Sequence, residues 1–410
     1  MTKKDMVTDP NNMDSADYKI LKADFKLMIE AVKAYIGQPA KVYLRINKVK
    51  SIKFITLVKY NEILARWNIF VDTTKREPNY ISINIPITPP VPPITGATVT
   101  VNSGESIQTA INNAKAGDII AVNPGTYKGF SIGKQVTVEA NGIVNINSGI
   151  SINGTGGILR GFNVTCDYAI SLSNTNDVSI IKNNITTLGQ SNAIQNTGTN
   201  NNLLVESNTI IGGSDVYGNG MAFEGVTNNS AIKDNKISNT LHGILFDKAS
   251  TGNVISGNTV IGNGLIANGA AGIDYQGVAI YTIQGSTNFK ILNNVISGER
   301  DGIAIEDDND VETANGFVLS GNICTANING VWMTGQNVEI SGNTFQNNIN
   351  GIDITGNDFV ITNNIITKNS NCDIASTTKA GQINKESGNT FDKSGGKFYV
   401  GGSKGQFIQG

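Results

Sequence analysis

Down the last two-thirds of this 410-residue chain one short phrase recurs: an apolar residue, two or three small or polar residues, an asparagine, then another apolar residue. It reads IIKNNI (180–185), VESNTI (205–210), IKDNKI (232–237), ISGNTV (255–260), ILNNVI (291–296), LSGNIC (319–324), ISGNTF (340–345), ITNNII (361–366) and ESGNTF (386–391). Its key asparagines are Asn184, Asn208, Asn235, Asn258, Asn294, Asn322, Asn343, Asn364 and Asn389, at steps of 24, 27, 23, 36, 28, 21, 21 and 25 residues. A period of that length, with β-branched residues beside Asn and Gly, marks a solenoid of stacked coils. Each coil has to bend sharply, and asparagine tolerates the left-handed conformation that a bend requires. Stacked in register, the amides could also bond up and down the column as a ladder. The asparagines are therefore structural, and any chemistry lies elsewhere in each coil.

A second phrase follows the asparagine and aligns by its glycine: GMAFE (220–224), GILFD (243–247), GVAIY (277–281), GIAIE (302–306), GVWMT (330–334) and GIDIT (351–355). Strand residues alternate faces, so the second and fourth places point inward and the third and fifth outward. Aligned this way, one outer face carries Glu224, Asp247, Tyr281, Glu306, Trp332 and Asp353, with Asn219, His242, Gln276, Asp301, Asn329 and Asn350 just before the glycines. Neighbouring strands lie roughly 4.8 Å apart, which puts Glu224 about 5 Å from Asp247 at the backbone and Asp247 about 10 Å from Glu306. Those separations bracket the carboxyl pairs of retaining and inverting glycosidases, so Glu224, Asp247 and Glu306 are the candidate catalytic residues. His242, Tyr281, Asp301, Trp332 and Asp353 are the candidate substrate-binding residues, because aromatic rings stack on sugar faces and carboxylates accept hydroxyl hydrogen bonds.

The segment 299–316 holds the densest charge, with Glu299, Asp301, Glu306, Asp307, Asp308, Asp310 and Glu312 around Arg300. Hard oxygen ligands at that density could hold Ca²⁺, although the spacing is not that of an EF-hand, and no metal ligands are assigned. The long coil between Asn258 and Asn294 inserts a Gly-rich stretch carrying Asp274 and Tyr275, a candidate groove wall.

The N-terminal part is different in character. Residues 1–95 carry 15 Lys/Arg against 9 Asp/Glu, and the remainder 16 against 24. Residues 1–86 read as a small basic α+β domain: a helix over 14–36, then β-rich runs at 42–46, 52–60, 62–71 and 80–87 forming an antiparallel sheet. Four of the chain's nine prolines fall in 87–95, which makes 87–96 a semi-rigid linker. The solenoid spans 97–392, and 393–410 is a Gly-rich cap or tail. No nucleic-acid motif accompanies the basic segment, so an acidic protein partner is the better fit. Three cysteines without a CxxC pair read as buried thiols. The first residues have no apolar run after their lysines, and no stretch is long enough for membrane insertion.

GESIQTAINNAKAGDIIAVNPGTYKGF (104–130) gives a short amphipathic helix on Ile107, Ala110, Ile111 and Ala114, ended by Gly117, then a buried strand and a turn. This order, with the coils after it, resembles the start of right-handed parallel β-helix proteins of the pectate-lyase-like superfamily. The resemblance implies a mainly β protein in which the helix covers the open edge of the first coil. A basic N-terminal domain, a proline hinge and a long solenoid also resemble bacteriophage tailspikes and tail fibres. That likeness implies a virion tail location, docking of 1–86 to other tail or baseplate proteins, a homotrimer, and a rod that recognises bacterial surface polysaccharide. Two alternatives stay open on the residues: a glycan-cleaving enzyme, hydrolase more than lyase, and a purely structural baseplate part.

Overall fold

The computed structural model describes residues 95–400 apart from 190, 214–217, 263–276, 283–284, 306–313, 377–382 and 393–397, together with strands Leu44–Arg45 and Ile81–Ser82. The chain divides into two units, Met1–Pro90 and Val91–Gly410. In the first, Leu44 pairs with Ile81 and Arg45 with Ser82 in parallel, where the sequence suggested an antiparallel sheet. The long connection between the two strands leaves room for the crossover that parallel pairing needs. The helix expected over 14–36, the runs at 52–60 and 62–71, and most of the linker lie outside the described residues.

The second unit is mainly β, a right-handed parallel β-helix. Helix Ile107–Asn113 opens it, with Ser106 as N-cap accepting a hydrogen bond from the Thr109 N–H and Gly117 in the left-handed region just beyond (φ 89°). Its buried Ile107 and Ile111 sit over strands Val99–Val101 and Ile119–Val122, so the edge of the first coil is covered. A coil then runs through three short strands, for example Ala231–Lys233, Lys236–Ser238 and His242–Phe246, before Val254–Ser256 begins the next. Every pairing among the described strands of the rod is parallel, with Ile232 opposite Ile255 and Ile255 opposite Ile291 in successive coils. Most inward strand residues are buried Ile, Val, Leu or Phe, each removing apolar surface worth about 1.5–3 kcal/mol. Phe223, Phe246, Phe289 and Phe317 pack in succession through the interior, stacked, edge to face and stacked, with ring centroids 4.7, 5.0 and 5.3 Å apart.

The recurrent asparagines form the expected ladder, with two corrections. Its first member is Asn183, not Asn184: the Asn183 amide donates to Asn208 Oδ1 at 3.0 Å, whereas Asn184 is exposed and donates to Asn163. From there the column runs through Asn208, Asn235, Asn258, Asn294, Asn322, Asn343 and Asn364 to Asn389. Each backbone N–H and each side-chain amide of a coil donates to the Oδ1 of the next, as Asn258 does to Asn294 at 2.9 and 3.0 Å. The amide's other hydrogen reaches a strand carbonyl, Ile232 O in the case of Asn258. The left-handed bend belongs not to the ladder residue but to the one before it. Lys182, Ser207, Asp234, Gly257, Asn293, Gly321, Gly342, Asn363 and Gly388 all have φ between 54° and 69°. The division of labour follows from geometry, since one residue turns the chain and the next aims two donors along the rod axis.

Candidate functional site

The outward strip is built on the strand that carries the glycine phrase. Inward residues fall as expected: Met221, Phe223, Ile244, Phe246, Ile280, Ile303, Ile305, Val331, Met333, Ile352 and Ile354 are buried. The glycine itself lets the strand lie close against the next coil. A Cβ added at Gly243 or Gly302 would meet the next coil's carbonyl oxygen at 2.6 Å, so no side chain fits there.

Register differs from the glycine alignment in one coil. Ile244 pairs with Ile280 and Leu245 with Tyr281, so Ala279, not Gly277, occupies the glycine position. Tyr281 therefore moves into the column Leu245, Tyr281, Ala304, Trp332 and Asp353, and does not stand beside Asp247. The column before the glycine becomes His242, Val278, Asp301, Asn329 and Asn350. Val278 thus separates His242 from Asp301, and Gln276 lies outside the described residues. The slip of two residues keeps every side chain on its own face, which is why the inward set survives it. Gly277 serves a different purpose, since an added Cβ there would lie 2.5 Å from the Glu299 Oε2.

Of the three candidate catalytic carboxylates, two are described. Glu224 and Asp247 sit at the ends of adjacent strands, with the Asp247 N–H donating to Phe223 O at 2.9 Å. Glu224 accepts hydrogen bonds from Gln195 Nε2 at 2.7 Å and Asn192 Nδ2 at 3.3 Å, two amides that hold the carboxylate in place. Glu306 lies outside the described residues, as do the rest of the acidic run 306–312 and the inserted stretch with Asp274 and Tyr275.

The candidate binding residues do converge. The buried His242 ring packs against Tyr281, centroids 5.3 Å apart, and its Nδ1 is buried without a hydrogen-bond partner. Burial first, then the nearby Arg300 charge, lowers the imidazole to about 4, against a hydrogen bond with the Val278 backbone that works the other way. His242 is therefore neutral at pH 7. Asp301 is wholly buried and accepts hydrogen bonds from Arg300 Nε at 2.7 Å and Asn329 Nδ2 at 2.6 Å. A polar row continues from it, with Asn350 donating to Asn329 at 2.7 Å and Asn371 to Asn350 at 2.8 Å. The Arg300 guanidinium lies over the Trp332 ring at 5.7 Å. Asp353, half-buried in the next coil, has its carboxyl pushed up by burial and then by the Asp301 charge.

Glu299 and Arg300 complete the group, although in the sequence Glu299 is only one of many acids in a charged run. It is 3% exposed, its Oε1 has no hydrogen-bond partner, and burial followed by the Asp301 charge raises it to about 9, so it is protonated at pH 7. It stands where a second corner column carries asparagine: the Glu299 N–H donates to Asn327 Oδ1 at 3.0 Å, Asn327 to Asn348 and Asn348 to Asn369. The signal was present. Glu299, Asn327, Asn348 and Asn369 each follow a ladder asparagine by five residues. All three cysteines are buried and form no disulfide, as expected.

Residues 111–274 and 265–409 match the family described as "Periplasmic copper-binding protein (NosD)". The chain belongs to the NosD family. None of the curated proteins matches it in sequence. Among solved structures it resembles the A-module of the Azotobacter vinelandii mannuronan C-5 epimerase AlgE4, at 15% identity over 76% of this chain and 89% of that one, TM-score 0.52. The AlgE6 A-module of the same organism is similar, at 14% identity over 76% and 91%, TM-score 0.50. Likeness at these identities is one of fold, the right-handed parallel β-helix.

The family description raises the question of copper. Copper sites gather imidazole, thiolate or thioether ligands at one point. The chain has one histidine, and among the described residues no three His, Cys, Asp or Glu stand close enough together to hold a metal ion. Met221 and Met333 are buried in the core, as are the three cysteines. These donors do not fit a copper centre.

Proposed function

We propose that this chain is a carbohydrate-binding β-helix that takes a polysaccharide across the strip formed by His242, Tyr281, Arg300, Asp301, Trp332 and Asp353. The observation that carries the reading is the column in which Tyr281, Trp332 and Asp353 stand half-exposed within four coils. Tyr281 and Trp332 are two strands apart, about 10 Å, a separation that lets both rings stack on sugars of one extended chain. The half-buried Asn329 and Asn350 form a polar row beside them that suits hydroxyl recognition, with the buried Asp301 orienting Asn329 from behind. The two epimerase modules, named for mannuronan, lend support as β-helices that handle polysaccharide.

Retention of the purified chain on immobilised polysaccharides, with Trp332→Ala and Tyr281→Ala alongside, tests this. Loss of retention in both variants is the expected result; retention unchanged in both ends the reading. Cleavage is a second reading, favoured by the adjacent carboxylates Glu224 and Asp247. It requires new reducing ends from a bound polymer, abolished by Asp247→Asn; a bound polymer that keeps its size rules it out. The narrower assignment to a virion tail, with residues 1–86 docking to tail or baseplate proteins and the rod a homotrimer, rests on the order of segments in the sequence. Light scattering of the full chain checks it, because a monomer would remove the trimer and the tail rod with it.

A further inference from the structure

We infer that the strip selects glycans without acidic groups, that is neutral or amino-bearing polysaccharides, and repels polymers that carry carboxylates or sulfates. This rests on the carbohydrate reading above and narrows it to a chemical class.

Charge placement decides the class. Asp353 stands next to Trp332 in the column and Asp301 is buried behind Arg300, while Glu224 and Asp247 follow the strands of the earlier coils; the cations are Arg300 and Lys248. Arg300 is the cation nearest the rings, and it is already committed: its Nε donates to the buried Asp301 at 2.7 Å and its plane covers Trp332. A guanidinium held in a buried ion pair presents little net charge to a sugar carboxylate, because its partner's field cancels most of its own. Lys248 is exposed, where solvent and salt screen it. The rest of the strip offers neutral amides, Asn329 and Asn350, beside the buried neutral imidazole of His242, and none of these groups compensates an anion.

Asp353 leads to the same conclusion. Its ionised form is disfavoured by burial and by Asp301, so a neighbouring ammonium group on a ligand would relieve it and a neighbouring anion would worsen it.

The experiment is an array of neutral, amino-bearing, uronate-bearing and sulfated polysaccharides probed with the full chain at about 0.15 M salt, with Trp332→Ala as the control for binding at this strip. Binding that Trp332→Ala abolishes is expected only among the neutral and amino-bearing polymers. Asp353→Asn weakens retention roughly two- to fivefold more on an amino-bearing polymer than on a neutral one. A uronate or sulfated polymer retained by the chain and lost by Trp332→Ala overturns the charge selectivity while leaving the carbohydrate reading intact. An array with no retained polymer of any class ends both. Circular dichroism and thermal melting of the variants confirm that each is folded.

Discussion

Two columns of side chains run along the same rod, in the same register, and obey opposite rules. From Asn183 to Asn389 the inner corner repeats one residue, because each amide donates to the one ahead and accepts from the one behind. A coil that departs from asparagine strands its neighbours' buried donors. Along the outer column the residues read Ala222, Leu245, Tyr281, Ala304, Trp332, Asp353 and Ala375, a mixture of small, apolar, aromatic and acidic side chains. Nothing in the fold demands uniformity there, since the backbone already satisfies its own hydrogen bonds between coils. Repetition marks where the solenoid is made, and variation marks where it can recognise something. Glu299 breaks the rule from the inside: it is an irregular residue in a corner column that is asparagine in the next three coils.

The sharpest way to break the contrast is within the ladder. Asn258→Ala removes the side-chain amide's hydrogen bonds to Asn294 and Ile232 and leaves the Asn235 donors unpaired in the core, which should cost roughly 2–5 kcal/mol in urea unfolding. A loss below about 0.5 kcal/mol would mean that the column is ornamental. Glu299→Gln tests the exception. The unfolded carboxyl loses its proton near 4.5 and the folded one near 9, so the folded state carries the extra proton between those values and stability falls as pH rises through that window. Glutamine keeps the shape of the protonated acid without the penalty. The variant should be more stable than the parent by on the order of a few kcal/mol at about pH 8 and equal to it at about pH 4. Equal melting temperatures at the higher pH would contradict a protonated Glu299.

His242 works in the other direction. Its folded value near 4 lies below the unfolded 6.5, so stability is lost as pH falls from 6.5 towards 4, and His242→Gln should flatten that acid limb of the melting curve. In the outer strip the effect should appear in binding rather than in folding. Trp332→Ala is expected to weaken glycan retention about tenfold while unfolding changes by about 1 kcal/mol or less. The smallest effect belongs to Asn184→Ala, which removes one exposed amide contact to Asn163 and should stay within about 0.5 kcal/mol. It sits beside Asn183, whose replacement should behave like that of Asn258.

The solenoid, the helix over its first coil and the inward residues of each strand were legible, because period and alternation are local properties of the chain. The site was legible in part. Tyr281, Trp332 and Asp353 share the outer column, whereas His242 and Asp301 are buried, two residues before the inward Ile244 and Ile303; the column that joins Tyr281 to Trp332 was hidden by Gly277. That glycine imitates the others in sequence and in space makes room for Glu299. Glu224 was readable as an outward acid, yet its two amide partners come from the preceding coil at Asn192 and Gln195, beyond any local pattern.

By itself the sequence determined the coil, its period, its core and the residue types on each face, since those follow from spacing along one chain. Only the tertiary structure decided which coil residue stands next to which. It showed that the bend falls one residue before the ladder asparagine, that Arg300 is committed to Asp301 and Trp332, and that Glu299 is buried and protonated. The physical reason is that register between coils is set by what must fit against the next coil's backbone. A chain read one residue at a time does not contain that neighbour.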